Sequence, residues 1–160
     1  MIKRAAATIL LAFSGLCLGE SVHDGKEESQ ELMNAVLPLA EKLLTEHGEF
    51  FPYGGAMTPD GEIVSVAVYD GNENPPSSEV IDSLHKAFHT AAQNNEYKAT
   101  ALVYDVRVRL SNGEPSDALA IELDHESGYS VIVLIPYILS NGQLQYGEIS
   151  AQAGEGNVFQ

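Results

Sequence analysis

The chain has 160 residues, 44% of them hydrophobic and 19% charged, with 23 Asp and Glu against 8 Lys and Arg and a formal net charge of -15. That length suits one domain able to bury roughly two thirds of its unfolded surface, and the composition is too apolar for intrinsic disorder. The negative field argues against nucleic acid and anionic lipid as partners and leaves solubility, or a cationic partner, as what the charge serves.

Residues 1–19 read as an export signal. Lys3 and Arg4 form the positive end, Ala5 to Leu18 the apolar run, and cleavage is expected after Gly19. The run is shorter than the ~20 residues a membrane span needs and no second one follows, so a periplasmic or secreted protein without a membrane span is expected. Loss of Lys3 and Arg4 leaves 6 cations against 23 acids, or -17. Cys17 raises a lipoprotein anchor as an alternative, but Leu16 is large where such cleavage needs a small residue. If Cys17 leaves with the signal, disulfides, thiolate catalysis and Cys-based metal sites go with it.

Residues 20–30, polar and without apolar periodicity, are expected to be a flexible segment before a single domain at 31–160. Leu32, Val36, Leu39 and Leu43, with Ala40 and Leu44 beside them, recur at helical spacing up to His47, and Gly48 is placed as a C-terminal cap. Pro38 should kink this helix or mark the first turn of its second half. The stretch from Phe50 to Tyr69 is broken by Thr58-Pro59-Asp60-Gly61, whose turn chemistry predicts a β-hairpin. After a loop at 71–78, Val80, Ile81, Leu84, Phe88 and Ala91 form the stripe of a second helix, with Ser77 or Ser78 as N-cap.

A meander follows. Strands are predicted at 98–110, covered at one end and wet at the other, and at 117–125, with Arg107 and Arg109 expected opposite Glu122 or Asp124. The segment 129–139 is apolar on both faces and reads as a central strand needing two covers. Asn141-Gly142 predicts a two-residue hairpin pairing Leu139 with Leu144 and Tyr137 with Tyr146, then a last strand to about Ala151 and a loose tail. The expected fold is α+β, a mainly antiparallel sheet of five to six strands with two helices in the order α-β-β-α-β-β-β-β.

That element order resembles the roadblock and profilin-like group, in which two helices pack on a five-stranded sheet. The runs EHGEFFPYGGAMTPDGEI from Glu46 and YDVRV from Tyr104, with the Gly147-Glu148 strand end, resemble a family of small bacterial proteins across roughly residues 31–159. The resemblance implies one domain and a bacterial source and carries no activity.

For chemistry, His85 and His89 stand at i, i+4 with Asp82 one turn earlier, a spacing that can place two imidazoles on one metal. HKAFH lacks the Glu that follows the first His in zinc proteases, so an exposed helix face is the simpler use. The acids Asp60, Glu62, Asp70, Glu73, Glu122, Asp124, Glu126 and Glu148 offer an acid/base pair only if their environments separate their pKa values. Gly54-Gly55 lacks a phosphate-loop pattern and marks a bulge or a close approach, and the aromatic run before it lines a pocket or packs in the core. No cofactor motif and no serine-hydrolase elbow occur. The expectation is therefore a non-catalytic binding module using its sheet face or an edge, with Tyr53, Gly54, Gly55, Arg107 and Arg109 as the surface for a protein partner or a second copy. The alternative is a small hydrolase or metal-dependent enzyme using Asp82, His85 and His89 or paired carboxylates.

Overall fold

The computed structural model describes residues 18–69 and 71–160, so most of the expected export signal, and Asp70, lie outside the described residues. The fold is α+β: helix α1 (Leu18–His47), strands β1 (Tyr53–Met57) and β2 (Ile63–Val66), helix α2 (Ser77–Gln93), then β3 (Ala99–Arg109), β4 (Pro115–His125), β5 (Ser130–Ser140), β6 (Gln143–Tyr146) and β7 (Ser150–Ala153). The antiparallel sheet runs β2-β1-β3-β4-β5-β6, with β7 also on β5.

Successive strand residues point to opposite faces, and this places the two helices. Leu32, Val36, Ala40 and Leu44 of α1 pack with Ala101, Val103, Leu119, Ile121 and Ile135, the odd-numbered face. Val80, Leu84 and Phe88 of α2 pack with Leu102 and Tyr104, the even-numbered face. The sheet is thus sandwiched, with one helix on each face. Gly54 and Gly55 make it thin enough. A Cβ on Gly54 would stand 2.5 Å from the Phe88 ring, and one on Gly55 2.4 Å from a Val36 methyl.

Residues 20–30 are the first part of α1 rather than a flexible leader. Their partners are polar and distant in sequence: Glu28 takes charged hydrogen bonds from Lys98 and from His125 Nε2, the latter at 2.8 Å. Because His125 Nδ1 accepts the Ser127 N–H at 3.0 Å, the proton sits on Nε2 and donates to Glu28. Gly25 is buried against that turn, where a Cβ would stand 2.1 Å from Ser127 Oγ. The tail is also fixed, since Val158 is buried in the α2 cluster beside Phe159.

Pro38 lies inside a single helix. Two residues on, the Tyr53 hydroxyl donates to the Val36 carbonyl at 2.6 Å and accepts the Ala40 N–H at 3.0 Å. An unbroken helix would bond that N–H to that carbonyl, so β1 supplies the insertion that an opened ladder needs. Gly48, at φ 77, caps the helix as expected, its N–H bonded to the Leu44 carbonyl. No helix among the described residues is long and apolar enough to cross a membrane.

The Asn141-Gly142 hairpin has the expected register, Leu139 opposite Leu144 and Tyr137 opposite Tyr146. β5 itself lies next to the sheet edge rather than at its centre, and α2 packs mainly on β1 and β3. Its even-numbered face is therefore incompletely covered, with Ile138 64% exposed. The expected last strand is broken in two by Pro136. Its carbonyl accepts the Gly147 N–H at 2.8 Å, but proline has no N–H to return. Pairing stops at Tyr146 and resumes at Ser150 opposite Leu134.

Candidate functional site

Of the concavities that border α2 among the described residues, two are large. The first is a groove of about 620 Å³ beyond the end of edge strand β2. Leu39 and Leu43 of α1 form one wall, Phe50, Phe51 and Tyr53 the floor leading into β1, and Val68, Tyr69, Pro75 and Val80 the other wall. The stripe of α1 explains the first wall. Leu32, Val36, Ala40 and Leu44 already fill the helix's buried face, so Leu39 is left 43% exposed. Phe51 is 54% exposed and Tyr69 78%, far more than packing alone would leave. Phe50 and Tyr53 meet edge to face with centroids 5.8 Å apart. The Tyr53 hydroxyl inside α1 fixes the helix end that carries Leu39 and Leu43. Its burial raises the phenol pKa to about 12.

The groove's polar lining includes Glu49, Glu73 and His47, with no Lys or Arg among the described residues.

The second concavity, about 500 Å³, lies between α2, the β4–β5 surface and the 154–158 segment. His85 Nε2 bonds Glu122 Oε2 at 2.9 Å, and the Tyr104 hydroxyl donates to Glu122 Oε1 at 2.8 Å. The bond to Glu122 raises the His85 pKa above the ordinary histidine value against the opposing effect of burial. Burial pushes Glu122 upward, but the bonds from His85 and Tyr104 together outweigh it and hold the carboxyl below its usual value. Asp124, on the same face of β4, goes the other way: burial raises it, reinforced by the charges of Glu122 and Glu155. Its Oδ1 is buried without a hydrogen-bond partner.

The histidines do not share a metal geometry. His89 Nδ1 faces the Val158 carbonyl at 3.2 Å and its Nε2 faces Gln93 at 3.0 Å, while Asp82 acts on His85 only through its charge. Among the described residues no group of three or more His, Cys, Asp or Glu is placed to hold a metal ion. Both histidines are partly exposed and line the second concavity.

The residues expected to form one surface are dispersed. Tyr53 lines the groove, whereas Gly54 and Gly55 are buried beneath the two helices. Arg107 and Arg109 sit at the wet end of β3, four and six residues beyond Val103, the partner of Tyr53. Arg107 bonds Asp117 at 3.0 Å and Arg109 the Gly113 carbonyl at 2.7 Å. Neither meets Glu122 or Asp124, which lie opposite Leu102 and Thr100 on the other face. Asp60, Glu62, Glu73, Glu126 and Glu148 are exposed. Comparisons with known protein families, curated proteins and solved structures return no match, so both concavities are read on their own chemistry.

Proposed function

We propose that the protein is an exported, non-catalytic binding module that holds a protein partner in the groove between the end of α1 and the loop before α2. The observation that carries this is the cluster of exposed apolar side chains there, Leu39, Phe51 and Tyr69, around a concave floor. Contiguous apolar surface of this kind marks interaction sites more often than chance exposure does. Titrating the isotopically labelled protein with short uncharged apolar peptides should perturb the amide signals of residues 39, 43, 51 and 69. A protein whose groove signals stay fixed while others move would overturn the proposal. Export is checked by N-terminal sequencing of the cell-derived protein, expected to begin at Glu20; a cytosolic chain that keeps Met1 would refute it.

A second reading, a small hydrolase acting in the other concavity, is favoured by one observation: Glu122 and Asp124 share a face of β4, yet their carboxyl groups are driven in opposite directions. It requires hydrolysis of a model ester, glycoside or peptide that disappears with both Glu122→Gln and Asp124→Asn. Its metal-dependent form requires metal in the purified protein that is lost with Ala at His85 and His89.

A further inference from the structure

We infer that the groove's occupant is a basic segment with apolar anchors, contributed by a different protein. This rests on the binding-module reading and adds the chemistry of what binds.

Phe51 on the floor side and Tyr69 on the far wall are 54% and 78% exposed, so the groove stays open along its length. Such walls embrace a passing chain better than they enclose a small molecule, which needs most of its surface buried. The floor fixes the anchors as apolar. Charge fixes the flanks, because Glu49 and Glu73 line the groove and the only basic lining group among the described residues, His47, already faces the Glu46 carboxylate at 3.9 Å. Lys or Arg on either side of an apolar anchor would meet those carboxylates, and an acidic segment would be repelled by them. A second copy of this chain is a poor occupant, since each mature copy carries 6 cations against 23 acids and two such rims face each other with the same sign.

The test uses the mature chain and three labelled twelve-residue peptides of Leu and Phe interspersed with Lys, Gln or Glu, followed by fluorescence anisotropy at low and physiological salt. The Lys peptide should bind about tenfold tighter than the Gln peptide at low salt, the Glu peptide weakest, and the gap should narrow as salt screens the rim. Phe51→Ser, at an exposed position, should weaken the Lys and Gln peptides alike by about tenfold or more. Glu49→Gln with Glu73→Gln should weaken only the Lys peptide, by about fivefold. Asp60→Asn with Glu126→Gln, an equal loss of charge in two distant turns, should leave it unchanged.

Equal affinity for Lys and Gln peptides, with both lost in Phe51→Ser, would overturn the inference about charge and leave the binding module intact. An equal effect of the distant pair and the rim pair would show diffuse attraction by net charge and overturn it too. No binding by any peptide, or indifference to Phe51→Ser, would bring down the groove reading itself.

Discussion

Replacing Tyr53 by Phe removes one oxygen and keeps the ring. Two backbone groups then lose their partner: the Val36 carbonyl, bonded at 2.6 Å, and the Ala40 N–H, bonded at 3.0 Å. Ala40 is fully buried, so water is a poor substitute. Neutral buried groups left unpaired cost about 1–3 kcal/mol, and a loss of ~2 kcal/mol in a domain of this size lowers Tm by about 4–8 °C. Urea and thermal unfolding measure the loss, and hydrogen exchange at the Ala40 amide locates it. The alkaline limb gives an independent check. Tyr53 titrates near 12 when folded, against 10 for an ordinary tyrosine, so its contribution is complete below pH 10 and is lost as pH rises through 12. The variant should lack that part of the alkaline loss. Stability within about 0.3 kcal/mol of the wild type, with exchange at Ala40 no faster, would mean that the helix recloses past Pro38 and that the hydroxyl holds nothing.

Three further outcomes follow from the packing and the charges. Gly55→Ala forces a methyl against Val36 and should cost about 1–3 kcal/mol in urea unfolding, with Val36→Ala relieving part of it in a double-mutant cycle; purely additive effects would refute the contact. Glu28→Gln strips Lys98 and His125 of their charged acceptor and should cost about 1–3 kcal/mol at pH 7. Burial pushes Glu28 upward but the bonds from Lys98 and His125 leave it below 4.5, so this stabilisation is present above pH 4.5 and the gap between variant and wild type should close on acidification. Asp124→Asn should raise the urea midpoint at pH 7 and not at pH 3, because a carboxyl whose pKa is raised by burial stabilises the fold below 3.8 and loses that contribution as pH rises through its folded value. A lower midpoint at pH 7 would show that the charged form is wanted there.

Local signals carried most of the fold. Turn chemistry at Thr58-Pro59-Asp60-Gly61 and Asn141-Gly142 and the stripe Val80, Leu84, Phe88, Ala91 sufficed, because each is decided by residues close in sequence. What failed depends on distant partners. Residues 20–30 look unstructured since the groups that fix them, Lys98 and His125, stand 70 and 97 positions from Glu28. The α2 N-cap is Pro76, with no side-chain cap from either serine. The partner of Arg107 follows from the sequence once the turn is centred near Asn112, which puts Asp117 rather than Glu122 or Asp124 opposite it. The groove was harder. Leu39 and Leu43 share the periodicity of the core, and only the width of the stripe, too broad for one sheet to cover, sets them apart. That the second concavity splits Glu122 from Asp124 depends on His85 and Tyr104, which no spacing within β4 reveals.

Pro136 also bears on what the molecule avoids. An intruding chain that tries to zip alongside the outer margin finds two four-residue stretches, Gln143–Tyr146 and Ser150–Ala153, separated by a step with its register broken. Such short rungs give little grip to a growing fibril. A single imino acid one strand inward thus guards this margin against runaway stacking, even though apolar side chains such as Phe51 and Tyr69 stand exposed elsewhere on the surface.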